Sequence, residues 1–235
     1  MRFYVEPSPK GAWYVKLAGH EAPISRHDSE EEAIERREAY ARGAARDEGE
    51  LVELRDGGRV RIRPIRSDDK PRLVEAFQGL SDTSRYRRFL GYKKELSVAE
   101  LAMLTEVDHH QHEALGALDS ETGEGVGVAR FVREPGRPEV AEAAVTVVDG
   151  WQGRGLGRAL LSRLAARARE EGVREFTATL LTDNRAMLRL FRDLGALRVV
   201  RRNGPVQEID VTLPLGGDCM DEALRAAARG DVTTA

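Results

Sequence analysis

The sequence predicts a mixed α/β (α+β) protein in which a small ββαβ unit precedes a larger alternation of strands and helices. Three features predict it. Near the N-terminus the runs Phe3-Tyr4-Val5 and Trp13-Tyr14-Val15 are separated by Pro7, Pro9 and Gly11, the pattern of a hairpin. From about Arg59, capped amphipathic segments alternate with apolar runs of strand length. Between one such run and the longest helical segment stands a glycine-rich turn, Gly153-Arg154-Gly155-Leu156-Gly157.

Each element has a local reason. Ser29-Glu30-Glu31-Glu32 opens a helix with Ser29 as N-cap, and Ala33, Ile34, Arg37 and Tyr40 follow at helical spacing. Leu51–Leu54 reads as a strand, Asp56-Gly57-Gly58 as a turn, and Arg59–Ile65 as a second strand with Val60 and Ile62 alternating. Ser67-Asp68-Asp69, Ser81-Asp82 and Ser97-Val98-Ala99-Glu100 cap three further helices. Strands are expected at Ala114–Leu118, Gly125–Val132 and Val140–Val148, then a helix at Gly155–Glu171 carrying Leu156, Leu160, Leu164 and Ala168 in register. A strand at Phe176–Leu181, a helix at Asn184–Leu194 and strands at Leu197–Arg201 and Val206–Leu213 complete the pattern, with a short helix at Asp221–Arg229 in the tail. The expected division is residues 1–56, 57–214 and a tail at 215–235. The first unit has too little core to stand alone and is expected to lean on the rest.

Composition narrows the classes of function. With 41% hydrophobic and 33% charged residues the chain can bury a core and stay in solution. A net charge of −3 argues against holding nucleic acid by bulk electrostatics. The one cysteine, Cys219, excludes an internal disulfide and any multi-cysteine metal site. With no signal-like N-terminus and no apolar run of membrane length, a cytoplasmic protein without membrane contact is expected.

The chemistry is concentrated in Val147-Val148-Asp149-Gly150-Trp151-Gln152-Gly153-Arg154-Gly155-Leu156-Gly157-Arg158. Glycines let the backbone turn tightly and let a ligand approach the amides. The first-turn N–H groups of the following helix then face an anion, helped by the helix dipole and by Arg154 and Arg158. A phosphate or pyrophosphate is the expected guest. The dinucleotide pattern Gly-x-Gly-x-x-Gly fails, because counting from Gly153 or Gly155 the sixth residue is Arg158 or Leu160. A P-loop fails for want of any Gly-Lys-Ser/Thr.

What fits is Gln/Arg-x-x-Gly-x-Gly/Ala, filled by Gln152, Gly155 and Gly157. In this form the segment resembles the pyrophosphate loop of the GNAT acyltransferase superfamily. From roughly Arg59 to Leu213 the order βααββ-βα-βα-ββ is also similar to that of the family. The resemblance implies a mixed, mostly antiparallel central sheet flanked by helices, acetyl-CoA as co-substrate and no metal. It implies that Val147, Val148, Gln152, Gly153, Arg154, Gly155, Leu156, Gly157 and Arg158 bind the cofactor, with Asn184 hydrogen-bonding the pantetheine arm. The strand ending at Val147 and Val148 would pair with that arm as with an added strand. Where many members carry a tyrosine that protonates the departing thiolate, this sequence has Phe191. Leu80–Phe89, Leu104–Asp108 and Ala141–Val147 running on to Gly155 resemble bacterial Pat-type protein-lysine acetyltransferases, which also lack that tyrosine. The N-terminal unit resembles a small bacterial domain of unknown function, able to dock an acceptor, pair two chains as a homodimer or cover the acceptor groove.

The implied reaction needs a base for the attacking amine, and a protein lysine is the acceptor that the resemblance implies. A small amine remains open as acceptor, as does a non-catalytic CoA-binding module. Glu142 is the first candidate base: its neighbours in Glu139–Val147 are small or apolar, a setting expected to raise its pKa by desolvation. Glu106 and Asp108 are the reserves. His109-His110-Gln111-His112-Glu113 fails the zincin pattern, since Gly116 stands where the second histidine belongs. A role in shaping the acceptor pocket remains open for it.

Overall fold

The computed structural model describes residues 3–43 and 49–214; Cys219 and the helix expected at Asp221–Arg229 lie outside the described residues. Three strands, β1 (Phe3–Pro7), β2 (Trp13–Leu17) and β3 (Pro23–His27), form an antiparallel sheet in that order, followed by α1 (Glu30–Gly43). The Ser29 hydroxyl accepts the Glu32 amide at 3.2 Å, as its N-cap position predicts. β4 (Glu50–Glu53) and β5 (Arg59–Pro64) lead through a 3-10 turn into α2 (Lys70–Gln78), α3 (Asp82–Phe89) and α4 (Val98–Thr105). β6 (His112–Asp119), β7 (Gly125–Glu134) and β8 (Arg137–Val147) follow, then α5 (Leu156–Glu170), β9 (Glu175–Leu181), α6 (Arg185–Arg192), β10 (Ala196–Asn203) and β11 (Val206–Thr212).

The second sheet has the order β10-β11-β9-β8-β7-β6-β5-β4. β4–β5, β5–β6, β9–β11 and β10–β11 pair antiparallel, whereas β8 and β9 run parallel. The small N-terminal unit is therefore β-β-β-α and differs from the expected ββαβ in two ways. β3 has little signal in the sequence, because Pro23-Ile24-Ser25-Arg26-His27 contains a single β-branched residue. β4, read as the last strand of the small unit, pairs with β5 from Glu50↔Ile62 to Glu53↔Arg59 and is an edge of the larger sheet. Local pattern identifies a strand and says nothing of which sheet takes it.

By packing, the chain divides into two compact units: one holds the chain up to Arg130 with Val145–Leu160, the other Phe131–Ala144 with the chain from Leu161 onward. In the first, Val15, Leu17, Ile24, Ala33 and Tyr40 of the N-terminal sheet and α1 share one core with Phe77, Leu80, Leu96, Leu101 and Leu104. The small sheet leans on α2 and α4, as its scant core requires. Each Val, Leu, Ile or Phe side chain fully buried there contributes about 1.5–3 kcal/mol. In the second unit Phe131 and Phe176 stack at 6.0 Å between centroids. Leu161, Leu164, Ala165 and Ala168 turn one face of α5 inward there. Gly195 follows α6 because a Cβ there would fall 2.1 Å from the Thr212 carbonyl oxygen.

A buried ion cluster fixes α2 to β5. Asp69 accepts both Nη atoms of Arg63 at 2.7 Å, Nη1 of Arg72 at 3.0 Å and the Arg66 amide at 2.8 Å. Burial alone would raise the pKa of Asp69, but Arg63, the Arg66 amide and Arg72 overcome it and hold the carboxyl below the usual range. Its stabilising effect is therefore present above the unfolded-state pKa of about 4 and is lost as pH falls through the lower folded value. Asp69→Asn leaves two buried guanidinium groups poorly compensated and is expected to lower stability by about 3–5 kcal/mol in urea unfolding. A loss below about 1 kcal/mol would show the cluster to be dispensable.

Candidate active site

β8 reaches the site by losing one partner. Its parallel ladder with β9 covers Val140↔Glu175, Ala141↔Phe176 and Glu142↔Thr177, and β8 runs on for five more residues. At the end of β8 the Val148 amide donates to the Val126 carbonyl at 3.0 Å. Successive strand amides point to alternate edges, so the Val147 N–H is directed to the opposite edge, where the β9 ladder has ended. Val147 thus offers a donor for an added strand or an oxyanion, while the Val148 amide is committed to β7.

The turn that follows is held by one carboxylate. Asp149 accepts the Ser84 hydroxyl at 2.6 Å, the Ser81 hydroxyl at 3.3 Å and the Ser81 amide. The Gln152 carboxamide donates to Asp149 Oδ1 and to the Val147 carbonyl, each at 3.0 Å. Burial opposes the charge on Asp149, yet the Ser84 hydroxyl, the Ser81 groups and Gln152 together keep its carboxyl below the usual range. Gln152, the first residue of the loop pattern, therefore spends its side chain on bracing the turn. That leaves its neighbours' backbone to meet a ligand.

Gly153 and Gly155 take φ of 76° and 95°, the left-handed region that costs an L-residue with a Cβ about 1–2 kcal/mol. α5 starts at Leu156, and the Ala159 amide is bonded to the Gly155 carbonyl at 3.0 Å. The amides of Gly155, Leu156 and Gly157 have no carbonyl within the helix to bond, which makes them ready donors to an anion. Arg154 does less for the anion than its position in sequence suggests. Its guanidinium pairs with Asp56 in the β4–β5 turn and stacks on Trp151 at 4.0 Å, and its carbonyl accepts the Arg55 amide at 3.1 Å. It anchors the loop to the sheet edge. Gly58 faces that guanidinium: a Cβ there would fall 2.1 Å from Arg154 Nη2 and displace it.

Asn184 is a buried N-cap of α6, accepting the Met187 amide at 3.2 Å through Oδ1. The cap uses its acceptor atom, not the Nδ2 donors that a pantetheine carbonyl would need. Phe191, on the same helix, is 1% exposed and brings no proton donor.

Glu142 departs from expectation. Along β8 the odd residues Ala141, Ala143 and Val145 are buried and Glu142 is exposed. Its immediate neighbours Ala141 and Ala143 point to the other face of the sheet and do not surround the Glu142 carboxylate. The reserves are otherwise occupied. Glu106 pairs with Lys70, and Asp108 is held below the usual carboxylate range by the amides of His112, His110 and Gln111.

The histidines do not converge. His109 Nδ1 lies 2.7 Å from Glu113 Oε1, whereas His112 Nε2 lies 3.0 Å from Nη1 of Arg130. Arginine has no lone pair, so His112 Nε2 is the acceptor and the ring is neutral. Burial first, and then the charge of Arg130, lower the His112 pKa to about 4. Because the unfolded chain binds that proton near pH 6.5, stability falls as pH drops from there toward 4. In a proton NMR titration the His112 ring signals are expected to stay unchanged from pH 8 to 5.5 and move only near pH 4. A midpoint at 6 or above would contradict the Arg130 contact.

Comparison with known proteins places this geometry. Residues 74–196 match the acetyltransferase (GNAT) family, and residues 3–64 match an uncharacterised protein family conserved in bacteria, DUF2188. The chain is 36% identical to acetyltransferase Pat of Mycolicibacterium smegmatis over 76% of its length and 54% of that protein's. It is 40% identical to an acetyltransferase of Pseudomonas aeruginosa over 60% of this chain and 77% of the other. The crystal structure of the GNAT domain of S. lividans PAT superposes with a TM-score of 0.64 at 37% identity, covering 70% of this chain and 96% of that one. The chain spans about half the length of the mycobacterial Pat. With the β8–α5 turn, the parallel β8–β9 pair and these matches in agreement, the chain belongs to the acetyltransferase (GNAT) family, whose members draw their acetyl group from acetyl-CoA.

Proposed function

We propose that the protein moves an acetyl group from acetyl-CoA to an amine, with a protein lysine side chain as acceptor and Glu142 as base. The observation that carries the donor half is the β8–α5 turn: two glycines at positive φ and a helix whose first amides lack intrahelical partners. The CoA diphosphate sits on the amides of Gly155, Leu156 and Gly157, with Arg158 contributing charge. The pantetheine arm pairs with the edge of β8 at Val147, and Asn184 donates to one of its carbonyls. The lysine acceptor rests on the resemblance to Pat-type enzymes in Leu80–Phe89 and Ala141–Val147.

In this reading the neutral amine attacks the thioester carbonyl, forming a C–N bond and a tetrahedral oxyanion that the Val147 N–H receives. Glu142 takes the amine proton directly or through water, and its exposure lets it return that proton to solvent. Collapse breaks the C–S bond. With Phe191 in place of a tyrosine, the CoA thiolate leaves without a side-chain acid and is protonated by water.

Glu142→Gln is expected to lower kcat by about 10²–10³-fold and to leave the KM for acetyl-CoA within about twofold. Undiminished turnover would remove Glu142 from the mechanism. Gly155→Ala forces a Cβ into a left-handed position 3.4 Å from Arg55 Cγ, and is expected to raise the acetyl-CoA KM about tenfold at unchanged fold content. An unchanged KM would mean that the turn does not hold the donor. Lysine peptides compared with free amines in a CoA-thiol release assay test the acceptor: faster turnover of free amines would overturn the lysine reading.

A further inference from the structure

The first compact unit contains a pocket lined by residues of α2, α3, α4, β6 and β7, part of it open to solvent. Its walls are mostly apolar, with Leu73, Phe77, Leu80, Phe89, Leu96 and Leu104 among them. The charged groups in the wall are unevenly signed: Arg63, Arg72, Arg88 and Arg130 against Asp69 alone. Asp69 is already committed to Arg63 and Arg72.

Arg130 stands apart from the others. It is 6% exposed, yet no carboxylate among the described residues lies within ion-pair distance of it. Its partners are the Leu104 carbonyl, at 3.1 Å from Nη2, and the neutral His112 ring, at 3.0 Å from Nη1. Neither cancels its charge. Both serve to orient the guanidinium, and two bonds leave part of its five-donor fork unspent. Burial and the like charge of Arg88 lower its pKa to about 9, a sign that this charge is held at a cost. A buried guanidinium without a counter-ion attracts an anion from outside, and the planar fork matches a carboxylate.

We propose that this cavity binds a small carboxylic acid with an apolar body, its carboxylate on the Arg130 guanidinium and its hydrocarbon against Leu73, Phe77, Phe89 and Leu104. His112 is a positioning residue: as a neutral acceptor it fixes the direction of Arg130 without competing for the anion. Such a ligand comes from one of two sources, an acceptor amine that also bears a carboxylate or an acid without an amine that acts as an effector.

The test titrates the full chain by calorimetry with phenylacetate and hexanoate, and with phenylacetamide and hexanamide as neutral matches. Carboxylates are expected to bind at least tenfold more tightly than their amides. Arg130→Met is expected to abolish that preference while weak amide binding persists. Ala76→Phe, which narrows the apolar wall and keeps Arg130, is expected to weaken all four probes and serves if the first variant fails to fold. His112→Asn, whose side chain keeps an acceptor, is expected to retain the preference, whereas His112→Leu is expected to weaken it. Equal affinity for acids and amides, or a preference that survives Arg130→Met, would overturn the proposal, as would no binding of any probe. A parallel arm offers phenylalanine and 6-aminohexanoate with acetyl-CoA: thiol release marks the bound acid as an acceptor, and binding without release marks it as an effector. The calorimetric result stands whether or not the lysine reading does.

Discussion

The candidate site depends on a change of direction that the backbone makes between Val148 and Leu156. A β-strand ends and a helix begins with its free amides facing outward, and the chain achieves this with two residues in the left-handed region. That geometry needs restraint, because a glycine-rich segment has more freedom to lose than any other. The restraint comes from Asp149, bound by Ser81, Ser84 and Gln152, and from Arg154, pinned between Asp56 and Trp151. The polar side chains of the loop are thus turned back toward the protein. What the turn leaves available to a ligand is main chain.

This division explains how the site divides between legible and illegible in the sequence. Gly153 and Gly155 were readable because a positive φ admits few residues, so the constraint is written in residue type. Asn184 and Ser97 were readable for the same reason, since a cap has a fixed offset from the helix it starts. The pairing of Arg154 with Asp56 is not legible in the sequence, because the two lie almost a hundred residues apart. The setting of Glu142 is not legible either, because its immediate neighbours on the strand, Ala141 and Ala143, occupy the opposite face. A period of two makes adjacent residues poor witnesses to each other's surroundings.

The fold divides along the same line. Capped helices and alternating strands were evident one by one, and their order matches the GNAT domain. Membership of a sheet was not evident: Glu50–Glu53 reads equally well as the end of a small unit or the edge of a large one, and only its register with β5 decides. The core shared by Ile24, Tyr40, Leu101 and Leu104 is another long-range fact. Arg130 is the extreme case. Nothing around it in Val128-Ala129-Arg130-Phe131 announces a buried charge, and its setting arises from a histidine and a carbonyl on two other elements.

The central claim is that the amides opening α5 hold the diphosphate of CoA, and amide NMR reads them directly. On addition of CoA to 15N-labelled protein, the resonances of Gly155, Leu156 and Gly157 are predicted to shift to saturation. Pantetheine, which has the arm without the diphosphate, is predicted to leave them in place. CoA that binds while these three amides stay unmoved, or pantetheine that moves them as far, would contradict the account.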